Sequence, residues 1–147
     1  MCGAERGGAY RARVDEETMR TRIDVARVAR FASVTPEGRP HIVPCCFIRE
    51  GDTVWSAVDA KPKTTLALRR LENLRLHSAV SLLVDHYEEN WDRLWWIRLD
   101  GEAQVLTGSP ARDEALDALA TKYPHYVGRR PPGAVIAITV TRWRSWP

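Results

Sequence analysis

The stretch VDAKPKTTLALRRLENL, residues 58–74, places Lys61 and Lys63 on either side of Pro62, with Thr64 and Thr65 next in line. Only three of the chain's 22 basic residues are lysine, the third being Lys122. Two mobile ammonium groups, two hydroxyl donors and the free N–H groups of a helix start are the parts of an anion site, and the positive end of the helix dipole adds to them. The same residues also make an ordinary solvated basic loop with a threonine cap. Arg69, Arg70 and Arg75 extend the positive field along the helix, or simply form its solvated face.

Two further segments have chemical potential. In HYEENWDRLWWIR, residues 86–98, Trp91, Trp95 and Trp96 lie close together with Tyr87 nearby. On a strand Trp95 and Trp96 face opposite sides, so one can enter a core while the other meets a ligand, a partner or solvent. In GRPHIVPCCF, residues 38–47, Pro44 interrupts a strand. That leaves backbone groups free to meet a heterocycle, or marks an edge strand protected against aggregation. Cys45 and Cys46 read as packing residues, since nothing near them in sequence lowers a thiol pKa.

Several chemistries lack their signatures. There is no glycine-rich nucleotide loop, no Gly-x-Ser-x-Gly elbow and no zinc spacing, and the four histidines are scattered. No metal site is expected. Asp85, Glu88, Glu89 and Asp92 cluster near a loop without forming an evident catalytic pair.

The elements that must position these residues follow from periodicity. Asp15–Val28 reads as a helix with Met19, Ile23 and Ala26 on one face. FASVT, HIVPCCFIRE and TVWSAV read as three strands of an antiparallel meander over Phe31–Val58, joined by turns at PEGR and EGDT. A helix from Thr64 turns Ala67, Leu71 and Leu74 to one side. SAVSLLVDHY is a strand, and RLWWIRLDGEAQVLTG is a long strand or two, with Gly101 as a bulge. SPARDEALDALATKY is a helix with Ser109 as cap, Pro110 at its first position, and Ala115, Leu116, Leu119 and Tyr123 buried. AVIAITVTRW is the final strand. The expected fold class is mainly β with peripheral helices (α+β): a small antiparallel barrel or sheet over residues 15–147, preceded by a loose arm over 1–14.

With 147 residues, 28% of them charged and a net charge of +3, the chain is sized and composed like one ordinary globular domain. The mild charge tolerates an anionic ligand without calling for nucleic acid. The longest apolar runs are too short to span a membrane, the N-terminus lacks the apolar core of a secretory signal, and three cysteines give no disulfide framework. A cytoplasmic location is the default expectation.

FASVTPEGRPHIVPCCF, GDTVWSAVDAKPKTTLALRRLENL and VSLLVDHYEENWDRLWWIRLDGEAQV together resemble the split β-barrel flavin and deazaflavin proteins of the pyridoxamine 5′-phosphate oxidase-like superfamily. VDAKPK with DHYEENWDRLWWIRLDG is most similar to its actinobacterial branch of coenzyme F420-dependent oxidoreductases. The resemblance covers about residues 15–146. It implies a homodimer with two cofactor sites at the subunit interface and a small conjugated or heterocyclic substrate. By position it implies phosphate binding by Lys61, Lys63 and Thr64, and a groove lined by Ser56, Ala57 and Val58. It further implies Val43, Pro44 and Cys45 beside the tricyclic ring, Trp95 or Trp96 of the other subunit over it, and Arg69 and Arg70 towards the oligoglutamate tail of F420. Tyr87 and His86 are candidates for proton delivery, together with solvent. FMN in place of F420, or a non-catalytic dimer holding a flavin, F420 or haem, are the alternatives. No segment resembles the C-terminal arginine–histidine substrate motif of true pyridoxamine phosphate oxidases, which argues against vitamin B6 oxidation.

Overall fold

The structure, a computed structural model, describes residues 13–58 and 65–147, and of residues 65–68 the backbone only. Helix α1 (Glu16–Val25) starts at Asp15, whose carboxylate accepts from the Thr18 N–H at 2.7 Å, with Glu16 and Glu17 in the first turn. It stops three residues short of the expected Val28, because Ala26 is already extended and strand β1 (Ala29–Val34) begins at once. Ile23 is buried, with Met19 and Ala26 packed around it, as the periodicity required.

The next stretch departs from expectation. HIVPCCFIRE is not one strand but two, β2 (Pro40–Cys45) and β3 (Ile48–Glu50), separated by Cys46 and Phe47. β2 forms a hairpin with β1, and β3 forms a hairpin with β4 (Thr53–Ala57), but β2 does not pair with β4. The expected three-stranded meander is therefore two hairpins. Helix α2 (Thr65–Leu76), β5 (Ala79–His86), a short 3-10 turn at Trp91–Arg93, β6 (Trp95–Leu106), α3 (Pro110–Lys122), a second 3-10 turn and β7 (Val135–Trp146) complete the chain.

All strand pairs are antiparallel, in the order β2-β1-β5-β6-β7-β4-β3. The two edge strands, β2 and β3, are consecutive in sequence. Laid flat, seven strands span about 29 Å from first to last, whereas two linking residues reach only about 11 Å. The sheet must therefore curl until its edges adjoin, which makes a split barrel. Pro44 sits on edge strand β2, where a missing N–H costs no ladder bond.

Two cores result. Phe31, Phe47, Val54, Leu82, Ile97, Leu99 and Ile138 fill the barrel, with Ile23 of α1 and Leu74 of α2 closing on it. Ala115, Leu116 and Leu119 of α3 pack with Tyr123, Tyr126, Ala57 and Val135 on the other side of the wall. Ser109 caps α3 by accepting from the Arg112 N–H at 3.2 Å, as its sequence position foretold. β6 serves both cores by simple alternation, with Ile97, Leu99, Ala103 and Val105 on the barrel side and Leu106 on the α3 side, and its register with β7 shifts between Asp100 and Gly101. Only glycine fits there: a Cβ on Gly101 would lie 2.3 Å from the backbone oxygen of Thr139.

Candidate functional site

The crossing from β2 to β3 leaves backbone groups outside any ladder, and one phenol collects them. The Phe47 N–H donates to the Tyr123 hydroxyl oxygen at 3.0 Å, and that hydroxyl has the carbonyls of Arg27 (2.9 Å) and Phe47 (3.0 Å) as acceptors. The Ser56 hydroxyl donates to the Cys46 carbonyl at 2.7 Å. Burial raises the Tyr123 phenol above its usual range, so it stays protonated as the clamp requires. Its neighbour Lys122 lays its ammonium 4.0 Å from the Phe47 ring centroid, with no hydrogen-bond partner among the described residues. Burial lowers that amine from 10.5 to about 8, against the pull of Asp24.

The residues assigned to the ring contact are divided by this geometry. Val43 and Cys45 turn towards the barrel core, and Pro44 is exposed on the outer face. Burial pushes the Cys45 thiol up to about 11, which suits packing and not nucleophilic chemistry. Ser56, Ala57 and Val58 are all buried, and their backbone runs alongside β7. Lys61, Lys63 and Thr64 lie outside the described residues; Arg69 is exposed and Arg70 half-buried.

Strand alternation separates the two tryptophans. Trp95 shares a side with Ile97 and Leu99 and packs on the barrel core. The Arg22 guanidinium lies 4.7 Å from its ring centroid, and the His86 ring stacks nearly parallel at 6.0 Å. His86 is further held by Glu88, 2.6 Å from its Nε2. Trp96 turns outward instead, in a row with Asp85 and Trp146. The next outward rows are Pro44–Arg30–Leu83–Arg98–Arg144 and Ile42–Ala32–Ser81–Asp100–Arg142. This face mixes exposed Ile42 and Trp146 with satisfied charges. Arg30 pairs with Asp85 at 3.3 Å, and Asp100 takes two bonds from Arg98 and one from the Ser81 hydroxyl. Burial acts to raise the Asp100 pKa, but Ser81 and Arg98 outweigh it and hold the carboxyl below its usual range. Tyr87, just beyond β5, is 64% exposed and available to solvent or a ligand, unlike His86.

Sequence reasoning missed a polar cluster beneath α2. Asn73 is fully buried; its amide donates to the Ser33 hydroxyl at 3.3 Å, and its Oδ1 has no partner among the described residues. His41, the register partner of Ser33, and Arg70, one helical turn before Asn73, each add a buried nitrogen in the same condition (Nδ1 and Nε). An i, i+3 Arg–Asn pair on a helix face otherwise rich in leucine was the available signal. No helix among the described residues is long and apolar enough to cross a membrane.

Comparison with known proteins decides the family. The family model described as pyridoxamine 5′-phosphate oxidase matches residues 15–147. The chain belongs to the pyridoxamine 5′-phosphate oxidase family. Solved structures agree on the fold of this family member. A conserved hypothetical protein from Mycobacterium tuberculosis superposes with a TM-score of 0.74 at 20% identity, covering 90% of this chain and 84% of that one. A FAD-binding protein from Mesorhizobium loti gives 0.67 at 18%, covering 90% and 94%. The haem storage protein HutZ of Vibrio cholerae gives 0.69 at 12%, covering 89% and 92%. No curated protein matches the sequence. Pyridoxamine 5′-phosphate oxidase-type barrels thus include proteins named for different ligands, and the fold alone does not select among them.

Proposed function

We propose that this protein is an F420-dependent oxidoreductase acting on a small conjugated or heterocyclic substrate. The observation that carries the reading is the Lys61-Pro-Lys63-Thr64 segment leading into α2, within a chain matched to the family over residues 15–147. The chain's polar groups fit a phosphorylated, polar cofactor: beside those cations, the same helix carries a buried donor, Arg70 Nε, and a buried acceptor, Asn73 Oδ1, both without a partner among the described residues. Lys61, Lys63 and Thr64 hold the phosphate, and Arg69 with Arg70 favours an acidic tail. The bound deazaflavin supplies hydride chemistry; the protein supplies orientation and exclusion of water. A second copy of the chain packs on the outer face of β2-β1-β5-β6-β7, where Trp96 and Trp146 offer aromatic surface. With His86 engaged by Glu88 and Trp95, Tyr87 is the better placed of the two for proton delivery.

FMN is the second reading, favoured by the likeness to a FAD-binding protein. Titration of F420 and of FMN into the same purified protein separates the two. Lys63→Ala removes a charge-assisted phosphate contact and should cost about 1.5–3 kcal/mol, or about tenfold or more in affinity. Unchanged affinity in that variant would remove the lysines from the site. A protein that binds either cofactor tightly yet reduces no enone, quinone or tetrapyrrole acceptor would be a carrier and not an enzyme.

A further inference from the structure

Strand β6 outruns its neighbour. β5 begins at Ala79, opposite Glu102, so residues 103–106 of β6 have β7 on one side and helix α2 on the other. Backbone groups along an antiparallel strand point alternately to its two sides. The Ala103 N–H points away from β7, since it donates to the Ser78 carbonyl at 2.8 Å. Two residues on, the N–H and C=O of Val105 point the same way. β7 gives the same answer independently. The Ala134 carbonyl accepts from the Val58 N–H, and the Val140 N–H donates to the Asp52 carbonyl, both towards β4. Ile136, the register partner of Val105, shares that alternation and also faces β4. Among the described residues, no strand pairs with Val105 on that side.

That pair opens onto a groove of about 650 Å³ between β6 and α2. Leu71, Leu74, Ala103 and Val105 give it an apolar floor, and Glu72, Arg75 and Gln104 add polar heads. The volume falls within the roughly 300–1,000 Å³ of small-molecule sites. An N–H and a C=O on one residue recognise a group that offers an acceptor beside a donor, as a lactam or imide does. The apolar floor selects a flat body to go with that edge. An added peptide strand fits less well, because β6 ends one residue later, at Leu106, which leaves little edge to extend.

We propose that the groove between α2 and the open edge of β6 binds a planar heterocycle through a lactam or imide edge held by the backbone of Val105. Two sources share this chemistry: the pyrimidinedione edge of a deazaflavin or flavin ring, or a free heterocyclic substrate. In the first case the inference rests on the proposed function; in the second it stands apart from it.

Phthalimide and N-methylphthalimide are suitable probes, followed by amide-resolved NMR on the whole chain. Phthalimide should shift the Val105 amide resonance, and the methylated analogue, which has lost its donor, should bind about tenfold more weakly. Gln104→Trp, at an exposed position by the groove, should abolish the shift while leaving the thermal unfolding midpoint unchanged. Competition between phthalimide and F420 or FMN would assign the groove to the cofactor ring, and simultaneous binding would assign it to a free heterocycle. Absence of binding, equal affinity for both probes, or shifts centred away from residues 71–75 and 103–105 would overturn the proposal. If phthalimide binds as described but neither F420 nor FMN does, the groove stands and the proposed function falls.

Discussion

Replacing Lys122 with methionine probes the barrel closure through a single charge. The ammonium sits over Phe47 with no hydrogen-bond partner among the described residues, and burial lowers it from 10.5 to about 8. Fully expressed, that difference corresponds to roughly 3 kcal/mol. Lys122 is only half-buried, so solvent screening reduces it to about 1–2 kcal/mol. The cation–π contact returns about 0.5–2 kcal/mol, so at pH 7 the methionine variant should be equal to the parent or more stable by about 1 kcal/mol. The pH dependence is the sharper signature. Between about 8 and 10.5 the unfolded chain keeps the lysine proton and the folded chain has lost it. The folded pKa is depressed, so the penalty is complete below 8 and is relieved as pH rises through the window. The parent should therefore gain about 1–2 kcal/mol on the variant between pH 7 and pH 10.5, measured by denaturant unfolding of both proteins at several pH values. Groups common to both, Tyr123 and Cys45 included, largely cancel in the difference. A parent-minus-variant difference that stays flat across that range would refute the assignment of a buried, unpaired amine.

Other outcomes follow from the same walls. Tyr123→Phe leaves the buried backbone groups of Phe47 and the part-buried Arg27 carbonyl short of a partner and should cost about 2–4 kcal/mol in denaturant unfolding; a loss under about 0.5 kcal/mol would mean that water takes over the clamp. Gly101→Ala drives a methyl into the Thr139 carbonyl and should lose about 3 kcal/mol or more, read as a lowered unfolding midpoint, unless the bulge can migrate. Ser109→Ala removes the acceptor for the Arg112 N–H and should cost about 1 kcal/mol with no effect on ligand affinity. A change in affinity there would tie α3 to the site.

Much of this architecture could be read locally. Ser109 and Pro110 announce α3, Pro44 announces an edge, and Gly101 announces the irregularity of β6 with β7, where the Thr139 carbonyl leaves no room for a side chain. The break after Cys45 could not be read so. HIVPCCFIRE runs on without a glycine or a further proline, and the group that satisfies the interruption, the Tyr123 hydroxyl, lies 76 positions from Phe47. Alternation told that Trp95 and Trp96 must part, but only the packing of β6 on the barrel core showed which one enters it. The lysine count drew attention to residues 61 and 63 and passed over Lys122, whose environment is assembled from α3 and the β2–β3 crossing. The open edge at Val105 was invisible for a different reason: it exists because β5 starts where it does, not because of anything in β6 itself.

The place of β7 has a consequence for how the molecule comes together. β3 and β4 form a hairpin of their own, and β2, β1, β5 and β6 form a second sheet; β7 is the strand that pairs with both. During synthesis the ribosome releases both half-sheets before it releases the strand that joins them. Until then each exposes an unpaired border, and the nascent chain carries two sticky seams in place of one barrel. Registering β7 requires contacts across most of the sequence, which places folding on the slow side for a chain of this size. The last-made strand thus acts as the keystone, and the period before it docks is when a chaperone would have most to do.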